Sequence, residues 1–193
     1  MEIRDKLEQT LNLPELEHLL DICKLLPVKA DILEVGTFLG KCTARMAETR
    51  PDCSITTLDV FKDGMWDEAL ARRDSLLNNY LDNIFDGNMW TEDDVRTYLS
   101  IFSNVEVVNC TFPDQWNNDS KFDLIFEDGN HYWKETYKSF PRCIELLKPG
   151  GYLCLHDYDE LGVEAAIEKF VEPHPQMKYH SKYKSLTVWQ KDE

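Results

Sequence analysis

The sequence predicts an α/β fold, a doubly wound and mostly parallel sheet with helices on both faces. Short apolar runs such as ILEV from Ile32, ITTLD from Ile55 and VEVV from Val105 recur with room for a helix between them, as in sheets buried on both sides. A glycine turn joins the first run to the segment that follows it. A chain of 193 residues suits one domain and can bury roughly 70% of its unfolded surface, enough for such a sheet.

LPELEHLLDICKLLP sets Leu16, Leu19, Leu20, Cys23 and Leu26 at helical spacing and stops at Pro27, predicting a helical cap within residues 1–27. The first strand is expected at about Asp31 to Val35, its helix at Lys41 to Thr49, and the second strand at Ser54 to Asp59. Between the second and third strands lie 45 residues, 60–104, more than one crossover helix needs. Two helices are expected there, about Asp67 to Asn83 and Glu92 to Phe102, the second opened by Thr91 with Asp94 three residues on. This insertion is expected to cover an acceptor or build a homodimer interface; a plain surface insertion is the alternative. NVEVVNC, FDLIFED and GYLCLHD supply the third, fourth and fifth strands, and PGG after Lys148 makes the turn into the fifth. VEAAIEKFVE from Val163 is the next helix, and KYHSKYKSLTVWQK reads as two strands around a turn. No repeat or low-complexity tract divides the chain, so residues 1–193 are expected to form a single domain.

In an open parallel sheet ligands bind at the carboxyl ends of the strands, and Glu34, Asp59, Asp128 and Asp157 all fall at expected strand ends. Within EVGTFLGKCT, Gly36 lets the backbone turn sharply and Gly40 lets the next helix pack closely. Asp59, 19 residues after Gly40, is placed to accept hydrogen bonds from two ribose hydroxyls. The three glycine positions of a dinucleotide fingerprint hold Gly36, Phe38 and Lys41, so a pyrophosphate is poorly served. Glu34 suits a cation such as an ammonium. These features fit S-adenosylmethionine, with Glu34, Gly36, Thr37, Phe38, Gly40 and Asp59 around it; an ordinary strand-to-helix turn is the bland alternative.

Two further motifs follow in order, LIFEDGNHYW from Leu124 and LKPGGYLCLHDY from Leu147 to Tyr158. With EVGTFLGKCT they make the chain resemble class I S-adenosylmethionine-dependent methyltransferases, and within them the small family grouped with macrocin O-methyltransferases and cephalosporin-hydroxylase-like proteins. The resemblance implies a three-layer Rossmann-like fold, with a seven-stranded, mostly parallel sheet ending in a C-terminal antiparallel hairpin. It implies methylation of a hydroxyl on a small molecule, such as a sugar, and a catalytic base at His131, with Asp128 beside it in both cofactor and catalytic roles. Thr111 and Phe112 are expected to border the adenine, although the acid many relatives carry there is absent.

Asp128 and Asp157 would end neighbouring strands about 5 Å apart, and two such carboxylates repel unless a proton, a lysine or a cation intervenes. A divalent ion such as Mg²⁺, on Asp128, Asp157 and His156, would resolve this and orient acceptor hydroxyls. The third ligand stays open, because macrocin-type relatives have an acid where His156 stands and catechol-type relatives an amide where Tyr158 stands. Tyr132, Trp133, Trp66 and Trp90 are either walls of an acceptor pocket or packing residues. Glu127 is the alternative inward acid, since a shift of one residue exchanges faces.

The formal net charge of −15 and pI near 4.7 argue against nucleic-acid and anionic-membrane partners. No apolar run approaches 18 residues, and MEIRDKLEQT carries acids a signal peptide avoids; a cytoplasmic location is expected. Six cysteines without a CxxC pair read as reduced packing residues. The competing functions are an NAD-dependent oxidoreductase, disfavoured by the missing glycines, a non-catalytic S-adenosylmethionine-binding protein, and an aminopropyl transferase.

Overall fold

A computed structural model describes residues 13–61 and 91–193. The expected helix at about Asp67 to Asn83, together with Trp66 and Trp90, lies outside the described residues.

In chain order the elements are α1 (Leu13–Leu25), β1 (Asp31–Val35), α2 (Lys41–Thr49), β2 (Ser54–Asp59), α3 (Glu92–Leu99), β3 (Val105–Asn109), β4 (Phe122–Glu127), α4 (Trp133–Leu146), β5 (Leu147–Leu155), α5 (Leu161–Ala166), a π-helical turn (Ile167–Val171), β6 (Met177–Tyr183) and β7 (Leu186–Lys191). They form one seven-stranded sheet in the order β3-β2-β1-β4-β5-β7-β6. The first five strands in that order are parallel, and β7 pairs antiparallel with both β5 and β6. The order reverses between β1 and β4, where such folds open a crevice.

Side chains in a strand alternate between faces, and the two cores follow that parity. Ile32, Ile55, Leu124, Phe126, Cys154 and Val188 pack with Leu16, Leu19 and Cys23 of α1 and Met46 of α2. Leu33, Val35, Ile125, Leu153 and Leu155 face the other way, against Phe140, Cys143 and Ile144 of α4 and Val163 of α5. The sheet is therefore a middle layer between helices.

Some boundaries differ from the sequence reading. β5 starts at Leu147 and so includes the PGG segment, because Phe122 pairs with Leu147 before a register shift between Phe122 and Leu124. The helix expected from Val163 begins two residues earlier and changes to π-helical winding at Ile167. Within the insertion, α3 carries a complete capping box between Thr91 and Asp94. Leu99 and Val95 of α3 pack on Ala44 of α2. All six cysteines are free, and among the described residues no helix is long and apolar enough to cross a membrane.

Candidate active site

Gly36 brings the β1 and β4 ends together. It has φ +98°, and a Cβ there would lie 2.2 Å from the backbone oxygen of Asp128; only glycine gives that approach without a clash. The turn is fixed by Gly36 and Thr37 N–H groups donating to the Leu58 carbonyl at 2.8 and 3.2 Å, and by the Asp128 N–H donating to the Val35 carbonyl at 2.8 Å. Phe38, at the position of the missing second glycine, adopts φ +49°, and its N–H donates to Asp59 Oδ2 at 2.8 Å. Gly40 also has positive φ, and a Cβ there would press on the Leu99 side chain at 3.1 Å. Its small size thus serves the packing of α3 on α2.

Asp59, at the end of β2, also accepts the Val60 N–H on Oδ1 at 2.7 Å. Burial raises its pKa against the pull of these N–H donors. The Phe61 and Thr37 N–H groups act on it as well, so a ribose diol would share this carboxylate with the N–H donors of the turn.

Two candidate residues lie beneath the turn rather than on it. Glu34 has the parity of Ile32, which turns it toward α2, and it is fully buried. Its Oε2 accepts from the Thr43 hydroxyl and from the Thr57 hydroxyl, while Oε1 has no hydrogen-bond partner. Burial pushes its carboxyl up to about 8, the two threonines acting against this. With no exposed surface, Glu34 ties the first turn of α2 to β2. Thr37 is likewise buried, its hydroxyl 2.6 Å from that of Thr57.

At the ends of β4 and β5, His131 Nε2 lies 2.8 Å from Asp157 Oδ2. His156 Nδ1 lies 3.0 Å from Asp128 Oδ1 and 3.2 Å from Asp157 Oδ1. Burial alone would lower the His156 pKa, but the two carboxylates outweigh it and push it up to about 11. Burial would raise Asp157, yet His131 and His156 hold it below the usual carboxylate range. The hydrogen bond to Asp157 raises His131 above its ordinary value, burial opposing. Thus a histidine, His156, stands between the two carboxylates.

His156, expected as a metal ligand, faces both carboxylates with its Nδ1. Asp128, His131 and Asp157 each offer a ligand atom within 4.8 Å of the others, which puts His131 in the third place. Two carboxylates and an imidazole suit Mn²⁺, Fe²⁺ or Zn²⁺ better than Mg²⁺, which favours an all-oxygen shell.

Glu127 faces α4, buried, and accepts from the Ser139 hydroxyl at 2.9 Å; burial pushes it up to about 7. The strand parity that sends it inward leaves Asp128 at the opening. Tyr132 and Trp133 are exposed beside His131. Phe112 packs against the core on the α4 face, and the Thr111 N–H donates to Gln115 Oε1 at 3.0 Å; neither has a hydrogen bond to the residues above.

Glu15 and Ser185 were not read from the sequence. Glu15 is buried on α1, and its Oε1 accepts from the Ser185 N–H and hydroxyl. The signal was a carboxylate four residues before Leu19, on the apolar face of α1, since a charge there demands partners.

A family model described as a methyltransferase domain matches residues 33–158. No curated protein matches the sequence. Among solved structures, the chain is similar to the N-methyltransferase NodS from Bradyrhizobium japonicum WM9 in complex with S-adenosyl-l-homocysteine, with TM-score 0.62 and 15% identity over 93% of this chain and 87% of that one. It is similar to the O-methyltransferase NovP, with TM-score 0.64 and 15% identity over 92% and 79%. The methyltransferase MycE, in complex with Mg, S-adenosylhomocysteine and mycinamycin VI, matches with TM-score 0.55 and 16% identity over 91% of this chain and 48% of that one.

Proposed function

The chain belongs to the methyltransferase-domain family, and from that premise we propose that it transfers the methyl group of S-adenosylmethionine to a hydroxyl of a small molecule. The observation that carries the proposal is the His131–Asp157 pair, 2.8 Å apart, at the carboxyl ends of the strands beside the Gly36 turn. Family membership removes the support for an NAD-dependent oxidoreductase.

The cofactor half fits. Gly36 lets the turn lie directly against the Asp128 backbone, where a Cβ would clash, and the Asp59 carboxylate ends β2 beside that turn, where it can meet a ribose diol. Phe38 is exposed on the turn. Thr111 and Phe112 follow β3, next to Asp59 through the Cys110 N–H on the Asp59 carbonyl at 2.8 Å, which supports a place near the base.

Methyl transfer is an in-line displacement. A hydroxyl oxygen forms a bond to the sulfonium methyl carbon as the carbon–sulfur bond breaks, leaving neutral S-adenosylhomocysteine. The hydroxyl proton must leave. With Nε2–H donated to Asp157, His131 keeps its lone pair on Nδ1, the atom assigned to receive the proton, and Asp157 stabilises the imidazolium that results. Such a base contributes roughly 10²- to 10⁴-fold. The exposed rings of Tyr132 and Trp133 give an acceptor an apolar wall.

The three-residue cluster favours a second reading, in which Asp128, His131 and Asp157 hold a divalent ion. When bound, it would polarise an acceptor hydroxyl, and His131 would be a ligand rather than the base. Thermal unfolding with Mn²⁺, Zn²⁺ or Mg²⁺ separates the readings: a stabilisation abolished by His131→Ala supports the ion, and no shift supports the base. The main proposal is tested by scintillation counting of methyl transfer from labelled S-adenosylmethionine into hydroxylated small molecules. Incorporation at the wild-type rate in His131→Ala contradicts it.

A further inference from the structure

We infer that Glu15, on the amino-terminal helix, is a positioning residue for the His131–Asp157 pair, acting through Ser185 and His156. The inference rests on the reading of that pair as the reactive centre.

Asp157 has φ +55°, a left-handed conformation that a non-glycine residue keeps only when its surroundings hold it. Its two neighbours are held. The His156 N–H donates to the Glu127 carbonyl at 3.1 Å, and the Tyr158 N–H donates to the Ser185 carbonyl at 2.9 Å. Ser185 lies in the turn between β6 and β7, and Glu15 fixes it from the other side: Oε1 accepts the Ser185 N–H at 2.8 Å and its hydroxyl at 2.6 Å. One serine thus links the helix carboxylate to the backbone just after Asp157.

A second route runs through side chains. Glu15 Oε2 lies 3.9 Å from His156 Nε2, and Ser185 Oγ lies 3.5 Å from the same nitrogen. The other nitrogen, Nδ1, faces Asp128 at 3.0 Å and Asp157 at 3.2 Å. Both ends of the ring therefore face carboxylates, which fixes its plane. With Oδ1 of Asp157 engaged by His156, Oδ2 is left to face His131. A buried carboxylate on an apolar helix face is costly unless partnered; Ser185 supplies the partners, and the site gains a rigid support.

A purely structural clamp between α1 and the β6–β7 turn would leave His131 unaffected. The test is the ring-nitrogen NMR spectrum of ¹⁵N-histidine-labelled protein, for wild type, Glu15→Gln and Ser185→Ala. His174, which lies away from this network and bonds Gln176, is the reference. The expected result is that the His156 and His131 ring signals both move beyond their linewidths in each variant while His174 does not. Calorimetric affinity for S-adenosylhomocysteine should stay within about a factor of two, because Gly36 and Asp59 lie outside the network. His131 signals that coincide with wild type in folded variants overturn the inference, as does movement of every histidine including His174. Should Glu15→Gln fail to fold, Ser185→Ala, which keeps the backbone N–H and carbonyl, carries the test alone. The readout needs neither cofactor nor acceptor, so it stands or falls separately from methyl transfer.

Discussion

His131 Nε2 stands 2.8 Å from Asp157 Oδ2, although 26 residues separate the two along the chain and they follow different strands, β4 and β5. The carboxylate orients the imidazole through Nε2, and in the proposed mechanism the second nitrogen faces the acceptor. Replacing His131 by Ala should slow formation of S-adenosylhomocysteine by about 10²- to 10⁴-fold, with cofactor affinity retained. Asp157→Asn should also slow turnover, because an amide can present its NH₂ to the ring and reverse the tautomer. Single-turnover kinetics with an identified acceptor measure both.

Gly36→Ala should abolish cofactor binding. The new Cβ would meet the Asp128 carbonyl at 2.2 Å, and positive φ adds roughly 1–2 kcal/mol of strain before that clash. Calorimetry and a urea midpoint on the same sample would report both losses; a variant that binds normally contradicts the cradle.

Glu34 gives a pH dependence with a defined sign. Its folded pKa, about 8, exceeds the unfolded value, so the native state binds more protons than the unfolded chain across that interval. Its contribution to stability is complete below the unfolded pKa and is lost as pH rises through the folded one, by at most about 1.4 kcal/mol per pH unit. Urea midpoints between about pH 5 and pH 8 should fall more steeply for wild type than for Glu34→Gln. Parallel slopes would contradict the assignment.

Chelation should leave cofactor affinity unchanged, because neither Gly36 nor Asp59, the residues proposed to seat the cofactor, belongs to the candidate metal cluster. Calorimetry of S-adenosylhomocysteine in excess EDTA checks this. A marked loss would move the carboxylate cluster into the cofactor site.

Much of the scaffold could be read from local signals. Strands β1 and β2 and helix α2 fall where apolar runs and Pro51 placed them, and Thr91 with Asp94 announced the start of α3. The site was legible in part, because Asp128, His131 and Asp157 lie close to the strand ends that the motifs mark. What escaped depends on direction and distance. Glu34 stands next to last in β1, so parity turns it under the turn, toward Thr43. His156 could be placed in the sequence as a neighbour of Asp157, but only the three-dimensional arrangement reveals carboxylates near both of its ring nitrogens. Glu15 and Ser185 are 170 residues apart, and no local pattern pairs them.

The proposed function depends most on Gly36 and Asp59 seating the nucleoside. Titrating S-adenosylhomocysteine into wild type and Asp59→Ala by calorimetry tests it directly. Wild type should bind one equivalent, and the variant, deprived of two hydrogen bonds to a charged group worth about 1.5 kcal/mol each, should bind roughly 10²-fold more weakly. A folded wild-type protein that takes up no S-adenosylhomocysteine, or an Asp59→Ala variant that binds it as tightly, would contradict the account.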